Sequence, residues 1–276
     1  MKNIYLSLLL ICISASGFSQ TDFSGKFKHK ATYSLTYQPD STNVQSSRTE
    51  TMVLYLGDRV SRFSSLGKAV GDSLMQNRDK SNKSMADLAR MQSQTPETKF
   101  EYLIYKGMPE GKVSYIRKVM KDNFRYEEEP NQFQWEILPE MGEIAGFQVQ
   151  KAVTSFAGRE YTAWFTPEIP ISDGPYKFGG LPGLILEVQD QKGHYHFQLT
   201  DFRILEDPVE FQFDSKDYLL TKKEKLIEVV EAYNQDPFAS LERNGITFGF
   251  KPGQKEKMMK EHREELKKEN NPIELE

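Results

Sequence analysis

Two histidines stand two residues apart, a spacing that can hold a metal ion on one side of a β-strand. His194 and His196 lie where polar and apolar residues alternate, so both imidazoles face the same way. Their aromatic and aliphatic neighbours take the buried face, which leaves the histidines on the polar face. Zinc needs three or four convergent ligands, and the other histidines, His29 and His262, are distant in sequence. We therefore predict no metal site and no cofactor, with His194 and His196 as the pair to check.

A hydrolytic nucleophile is equally hard to find in the sequence. The GxSxG pattern does not occur, and the single cysteine, Cys12, lies in the apolar N-terminal segment. The acidic run from Glu127 to Pro130 is typical of a solvated surface. We expect a protein that is not an enzyme, and we keep an uncharacterised metal-dependent or hydrolytic enzyme as an alternative.

The densest cluster of residues suited to binding lies between positions 151 and 178. Trp164 alternates with apolar neighbours, so it either lines a concave surface or lies under a helix. The loop from Pro167 to Lys177 is rich in proline and glycine, and such a loop either carries function on a rigid scaffold or simply crosses between strands. The candidate binding residues are Lys151, Arg159, Trp164, Glu168, Tyr176 and Lys177.

The glycine-rich stretch FGGLPGLILEVQD, from Phe178 to Asp190, has two chemical interpretations. A phosphate-binding loop needs a helix after the glycines and often a Lys-Ser/Thr pair, but here the pattern of a strand follows. Leu181 to Leu184 instead fit a type II turn, with Pro182 and Gly183 at its two central positions. The sequence therefore predicts a turn that leads into a buried strand.

Composition excludes some partners and favours a β-rich core. The chain has 276 residues, 12% aromatic residues and a net charge of −4. The aromatic bias favours strands, and the charge gives no electrostatic basis for binding nucleic acid. The sequence shows no internal repeat and no linker, so we predict one domain after the N-terminal segment.

The N-terminal segment has the pattern of a secretory signal. Lys2 precedes an apolar stretch from Ile4 to Ala15, and the small residues Gly17 and Ser19 predict cleavage before Gln20. Ile11 before Cys12 argues against a lipoprotein. We predict a signal peptide at 1–19, a mature domain at 20–276 with no membrane span, and a periplasmic location, with the cell surface or the extracellular space as alternatives.

The elements that must position these residues are mainly strands. Period-2 alternation and turn signals predict roughly ten strands, which form a curved antiparallel sheet or an open β-barrel. In the first strand, Phe27, Ala31, Tyr33 and Leu35 share one face. The GMPEG stretch and Gly158 each predict a hairpin. The predicted strands begin near residues 27, 50, 59, 100, 113, 123, 134, 147, 161, 184 and 194.

Helical patterns occur twice, and we expect both helices to cover the concave side of the sheet. The segment Gly67–Gln94 predicts one weakly amphipathic helix capped by Ser84. Thr221 and Glu224 form a capping-box pattern before a helix that ends at Asn234. The mostly charged stretch at about 253–276 predicts a solvated helix or a frayed polar tail.

The stretch GREYTAWFTPEIPISDGPYKFGGLPGLILEVQD resembles the signature of the GLPGLI family of exported Bacteroidetes proteins. The motif stands here as Gly180, Leu181, Pro182, Gly183, Leu184 and Ile185. The resemblance covers most of the mature chain and is strongest from Gly142 to Asp201. It implies no catalytic residues, because the family has no established activity. Many members carry a cysteine where this chain has Val149, and its absence argues against a thiol-dependent role.

The order of strand, AWFTPEIP and Gly/Pro loop is also similar to the LolA-like lipoprotein carriers, whose curved sheet offers an apolar concave face. This similarity implies a fold and is a weak basis for function. We therefore predict an exported binding or accessory protein that holds a lipid-like ligand or a hydrophobic segment of an envelope protein. An envelope assembly or interaction factor without a small ligand is the alternative.

Overall fold

The computed structural model describes residues 23–78, 84–130, 132–243, 245 and 247–276. The predicted signal peptide, with Cys12 and the cleavage position, lies outside the described residues. Among the described residues, no helix has both the length and the apolar character that a membrane span requires.

The described residues form one open, curved sheet of twelve strands, which confirms the predicted mainly β fold with a curved sheet. Its strands are β1 (Phe23–Tyr37), β2 (Arg48–Leu56), β3 (Ser61–Ser65), β4 (Tyr102–Lys106), β5 (Val113–Val119), β6 (Asp122–Glu128), β7 (Glu136–Ile144), β8 (Phe147–Phe156), β9 (Arg159–Thr166), β10 (Leu184–Asp190), β11 (Tyr195–Phe213) and β12 (Leu219–Leu220). Their order across the sheet is β12-β6-β5-β4-β3-β2-β1-β11-β10-β9-β8-β7.

The pairing follows the turn signals closely. The GMPEG hairpin joins β4 to β5, and Gly158 lies in the turn between β8 and β9. The sheet is mainly antiparallel, as predicted, and β12 adds one parallel pairing with β6. Since β1 pairs with β11, the two ends of the meander meet in the middle of the sheet.

One face of the sheet, here called the core face, carries the main hydrophobic core. Tyr33 and Leu35 of β1 are fully buried there together with residues of eight further strands. The loop after β9 packs onto this face and buries Phe178 against the rings of Phe133, Tyr161 and Phe197. The loop from Pro167 to Lys177, which is predicted either to carry function or to cross between strands, therefore covers the hydrophobic core.

The opposite face of the sheet has a smaller hydrophobic cluster, which contains Phe27. The alternation of the sequence predicts this residue on the core face. Phe27 contacts Tyr55 and stacks on Phe211 at 4.2 Å between ring centroids. The pairing register of β1 with β11 shifts between Phe27 and His29, which interrupts the alternation. The prediction that Phe27 shares a face with Ala31 is therefore wrong.

The helices differ from the prediction in number and in position. The segment predicted as one helix forms two, α1 (Leu66–Gln76) and α2 (Met85–Gln94), and Ser84 caps α2 as expected. α1 packs on β2 and β3, and Gln76 at its end lines a cavity with Tyr105 of the smaller cluster. It thus lies on the opposite face, not on the core side.

The remaining helices follow β12 and are α3 (Lys223–Gln235), α4 (Pro237–Arg243) and α5 (Gln254–Lys267). α3 packs on β5 and β6 from the core side, and Leu226 is buried against Val119 and Tyr126. The predicted capping box is wrong: Lys222 occupies the N-cap, and no side chain caps the helix.

The turn at Gly183 is built differently from a type II turn. Its glycine has the required positive φ, at 151°, but Gly183 N–H donates to Leu181 O at 2.8 Å. Leu184 N–H donates to Ile169 O at 3.0 Å instead of closing the turn. Because the three-residue turn at Pro182 does not use the Leu184 N–H, this donor connects the start of β10 to the loop that covers the core.

The predicted polar tail is helical only in its first part, which is α5. Beyond it, the segment Asn271–Glu276 leaves the helix and lies against the core side of the sheet. Asn271 is only 4% exposed, and Ile273 packs against the main core. The expectation of a wholly solvated tail is therefore wrong for Asn271, Ile273 and Glu274.

Candidate functional site

A groove between α3 and the sheet is the feature of the described residues best suited to binding. It consists of two cavities of about 450 and 460 Å³ that share Tyr115, Arg117, Val230 and the backbone at Pro272 and Ile273. The segment Asn271–Glu276, here called the strap, runs through it in an irregular, non-helical conformation. We call the two cavities together the α3 groove.

Arg159 holds the first half of the strap. Its guanidinium donates to Asn271 Oδ1 at 2.6 Å, to Pro272 O at 2.6 Å and to Ile273 O at 3.1 Å. Asp190 fixes the arginine through a buried ion pair of 3.1 Å, so the donors are held in place before the strap binds.

Two tyrosine hydroxyls complete the contacts to the strap backbone. Tyr195 Oη donates to Asn271 O at 2.7 Å and Tyr161 Oη to Ile273 O at 3.3 Å. Burial raises the pKa of Tyr195 to about 12, so its hydroxyl stays a donor throughout the neutral range. Three successive carbonyls of the strap are therefore bound in a way that does not depend on their side chains.

Lys177 holds the second half of the strap through Glu274. The Lys177 side chain is fully buried, and its ammonium lies 2.5 Å from Glu274 Oε1 and 2.6 Å from Glu128 Oε2. Tyr176 Oη donates to Glu274 Oε1 at 2.5 Å, and Lys223 contacts Glu274 Oε2 at 2.8 Å. One carboxylate thus meets two cations and one hydroxyl.

The electrostatics of Glu274 combine two opposing effects. Burial acts to raise the pKa of its carboxyl, but Lys177, Lys223 and Tyr176 stabilise the charged form, and the net effect is a lowered pKa. Burial and the nearby carboxylates raise the pKa of Tyr126, whose hydroxyl accepts from Lys177 at 3.1 Å. Glu274 is therefore a charged partner of the cluster at neutral pH.

The structure brings together three of the six candidate residues. Arg159, Tyr176 and Lys177 line up along the strap. Trp164 and Lys151 pair with each other across β9 and β8. Glu168 is exposed and accepts from Gln148 N–H at 2.8 Å. The Trp164 ring packs over Gly142 of β7 and is partly buried against the main core.

The strap is the part of the site that sequence patterns missed. It follows a strongly charged helix, and only Pro272 and the alternating Ile273 and Leu275 distinguish it from a frayed end. The sequence predicts strands at Tyr102, Tyr115 and Tyr126, but nothing in it indicates that these side chains face one groove.

The two histidines of the possible metal pair do not converge. His196 Nε2 contacts Glu187 at 3.1 Å, whereas His194 Nδ1 lies 3.4 Å from the Arg159 guanidinium. Within the described part of the chain, no group of three metal-binding side chains comes together.

A serine and a lysine with SxxK spacing, Ser65 and Lys68, also occur and have structural contacts. Ser65 Oγ caps α1 by accepting from Lys68 N–H at 3.0 Å and donates to Phe100 O at 3.0 Å. The Lys68 ammonium binds Asp72 at 2.6 Å. Lys68 is therefore paired with a carboxylate instead of serving Ser65 as a base.

Replacing Glu274 with glutamine should lower the free energy of unfolding by about 2 kcal/mol at pH 7, because charged hydrogen bonds are lost. Since the pKa of Glu274 is lowered in the folded state, its contribution is present above the unfolded value of 4.5 and is lost as pH falls through the folded value. Urea unfolding at pH 7 and pH 3 should show the difference between the two proteins shrinking. Glu256→Gln, at an exposed position of α5, is the control. A difference of the same size at both pH values would contradict the assignment.

Comparison with known proteins found one family model that matches part of the chain. Residues 100–187 match the model of a family described as "Protein of unknown function (Porph_ging)". The matched stretch includes Arg159, Tyr176 and Lys177. The strap and α3 lie outside it. A search of curated proteins found no match.

Solved structures show a likeness of fold. Two structures of PNGF-II, in the P21 and C2 space groups, each superpose with a TM-score of 0.51 at 12% sequence identity. They cover 74% and 75% of this chain, and this chain spans 33% of each PNGF-II chain. At this identity the likeness concerns the fold alone.

Proposed function

We propose that this protein is an exported binding or accessory protein of the GLPGLI type that holds an extended segment of a partner polypeptide in the α3 groove. The observation that carries the proposal is the strap itself, which occupies the groove as a bound peptide would. Its three successive carbonyls are held by Arg159, Tyr195 and Tyr161. Recognition through main-chain groups suits partners of varied sequence.

A polypeptide fits this site better than a lipid-like ligand. The core face, where a lipid carrier would offer its apolar cavity, is filled by Phe178 and the loop around it. The α3 groove is lined by tyrosines and by charged groups such as Arg117 and Glu231. Such walls supply hydrogen bonds, which an acyl chain cannot use.

One buried hydroxyl adds to this argument. Tyr102 lines the second cavity, and its Oη is buried without a hydrogen-bond partner among the described residues. A buried polar atom without a partner costs free energy, which a polar group of a ligand would recover. The side chain is therefore a point where a partner segment gains a contact that the strap does not make.

Export and a role in binding, without catalysis, are further parts of the proposal. The N-terminal pattern at 1–19 supports export, with the periplasm as the location. The lysines and carboxylates of the groove pair with one another, which suits binding and positioning more than proton transfer. An envelope protein is the partner that this location favours.

Peptide display on the immobilised full-length protein tests the proposal. Selection should enrich extended peptides that lose binding to Ile227→Trp, which fills the first cavity, and keep binding to Ile204→Trp. Ile227 lines the groove and is 47% exposed, whereas Ile204 lies on β11 outside it and is 72% exposed. Both substitutions are at exposed positions, so folding should persist and is checked by circular dichroism. A lack of enriched peptides, or equal loss with both variants, would rule out the groove as a peptide site.

A further inference from the structure

The groove holds a recognition element for one particular side chain, and this inference rests on the proposed function. The carboxylate of Glu274 is bound by three side chains. Its Oε1 is 2.5 Å from both Lys177 Nζ and Tyr176 Oη, and its Oε2 is 2.8 Å from Lys223 Nζ. Both oxygens of one carboxylate therefore have charged or hydroxyl donors.

The surroundings of Lys177 make the position selective for a negative charge. Its ammonium lies within 5.2 to 5.6 Å of the ring centres of Tyr115, Tyr126 and Tyr176, and its side chain is fully buried. Three aromatic rings and burial keep water away from the cation, which strengthens its attraction for a carboxylate.

The charges around Glu274 also favour an acidic group at this position. Lys177 and Lys223 bring two positive charges to this position, and Glu128 brings one negative charge. Glu274 supplies the second negative charge. Once the strap leaves, Lys177 still has Glu128, whereas Lys223 loses both Glu274 and the Glu276 main-chain oxygen, which lies 2.9 Å away. A ligand that takes the place of the strap therefore gains an ion pair by bringing an acid.

The residue before the acid has its own environment. Ile273 packs against the main core, and its carbonyl is bound by Arg159 and Tyr161. An apolar side chain at this point is partly buried, while the following carboxylate binds Lys177.

We propose that the α3 groove selects extended peptides in which an apolar residue is followed by an acidic residue, and that Lys177, Lys223 and Tyr176 bind the acidic side chain. The strap is the intramolecular occupant of the same position. A ligand must therefore displace the strap. Because the two compete, weakening the contact of Glu274 raises the apparent affinity of the groove for the ligand.

The test uses the full-length chain and two labelled hexapeptides, followed by fluorescence anisotropy. One peptide has the sequence of the strap, Asn-Pro-Ile-Glu-Leu-Glu, and the other has glutamine at its fourth position. On the Glu274→Gln protein, the acidic peptide should bind at least about 10-fold more tightly than the glutamine peptide. It should also bind this protein more tightly than the wild type.

A second variant links the preference to the cluster. Lys223 is 28% exposed, so Lys223→Met combined with Glu274→Gln should leave the fold intact and bring the ratio of the two affinities towards one. Equal binding of both peptides to Glu274→Gln would overturn the acidic preference and leave the groove as a peptide site. Binding of neither peptide would overturn the peptide site as well. Self-association of the variant through exchanged straps, seen by sedimentation, would assign the groove to a second copy of this chain.

Discussion

Replacing Lys177 with methionine should lower the free energy of unfolding by about 3–5 kcal/mol, the range found when one partner of a buried ion pair is removed. Methionine has a similar length, so the change removes the charge more than the volume. It leaves Glu128 and Glu274 close together without their shared cation. Urea denaturation followed by tryptophan fluorescence measures the effect.

Two further variants test whether the loss of stability comes from the ion pairs of Lys177. Lys192→Met, in the exposed turn between β10 and β11, should change the free energy of unfolding by no more than about 0.5 kcal/mol. Adding Glu274→Gln to Lys177→Met should cost less than the sum of the single changes, because the second change removes an unpaired charge. A loss below about 1 kcal/mol for Lys177→Met would show that the cation does not hold the strap and loop together.

Replacing Gly183 with alanine should destabilise the protein by about 3 kcal/mol or more. Gly183 has a φ of 151°, a region that residues with a Cβ rarely adopt. A Cβ at this position would lie 2.0 Å from the carbonyl oxygen of Thr166. Because Thr166 pairs with Leu184 at the start of β10, relieving the clash must shift the backbone of a central strand pair.

A second glycine separates the two causes of this loss. Gly146, in the turn between β7 and β8, has a φ of 84°, but a Cβ there would meet nothing within 4 Å. Gly146→Ala should therefore show only the cost of the backbone conformation, about 1 kcal/mol. Thermal and urea unfolding of both variants measure the difference, and equal losses would mean that the close approach to Thr166 does not matter.

The strands could be predicted from the sequence because each has its own local pattern. Alternation in β1 and the turn signals at Gly158 and in GMPEG each depend on a few neighbouring residues. The face of Phe27 could not be predicted, because the register shift that turns it depends on β11, which is distant in sequence. The parallel pairing of β12 depends in the same way on β6.

The sequence predicts three of the residues that contact the strap, because they lie close together near the glycine-rich motif. Arg159, Tyr176 and Lys177 are charged or aromatic residues in a stretch that is otherwise buried, and such residues need partners. Trp164 and Lys151 satisfy the same criterion but pair with each other across β9 and β8. The partner that unites the first three, the strap, lies about a hundred residues further on, so only the fold could reveal it.

The central claim is that the α3 groove binds an extended peptide, and site-specific cross-linking tests it most directly. A peptide with the strap sequence and a photoreactive benzophenone at the position of Ile273 is added to the full-length Glu274→Gln protein, and mass spectrometry locates the cross-link. We predict attachment to residues that line the groove, such as Tyr115 or Val230, and its loss when unlabelled peptide is added in excess. Attachment scattered over exposed positions, or attachment that the unlabelled peptide does not reduce, would contradict the account.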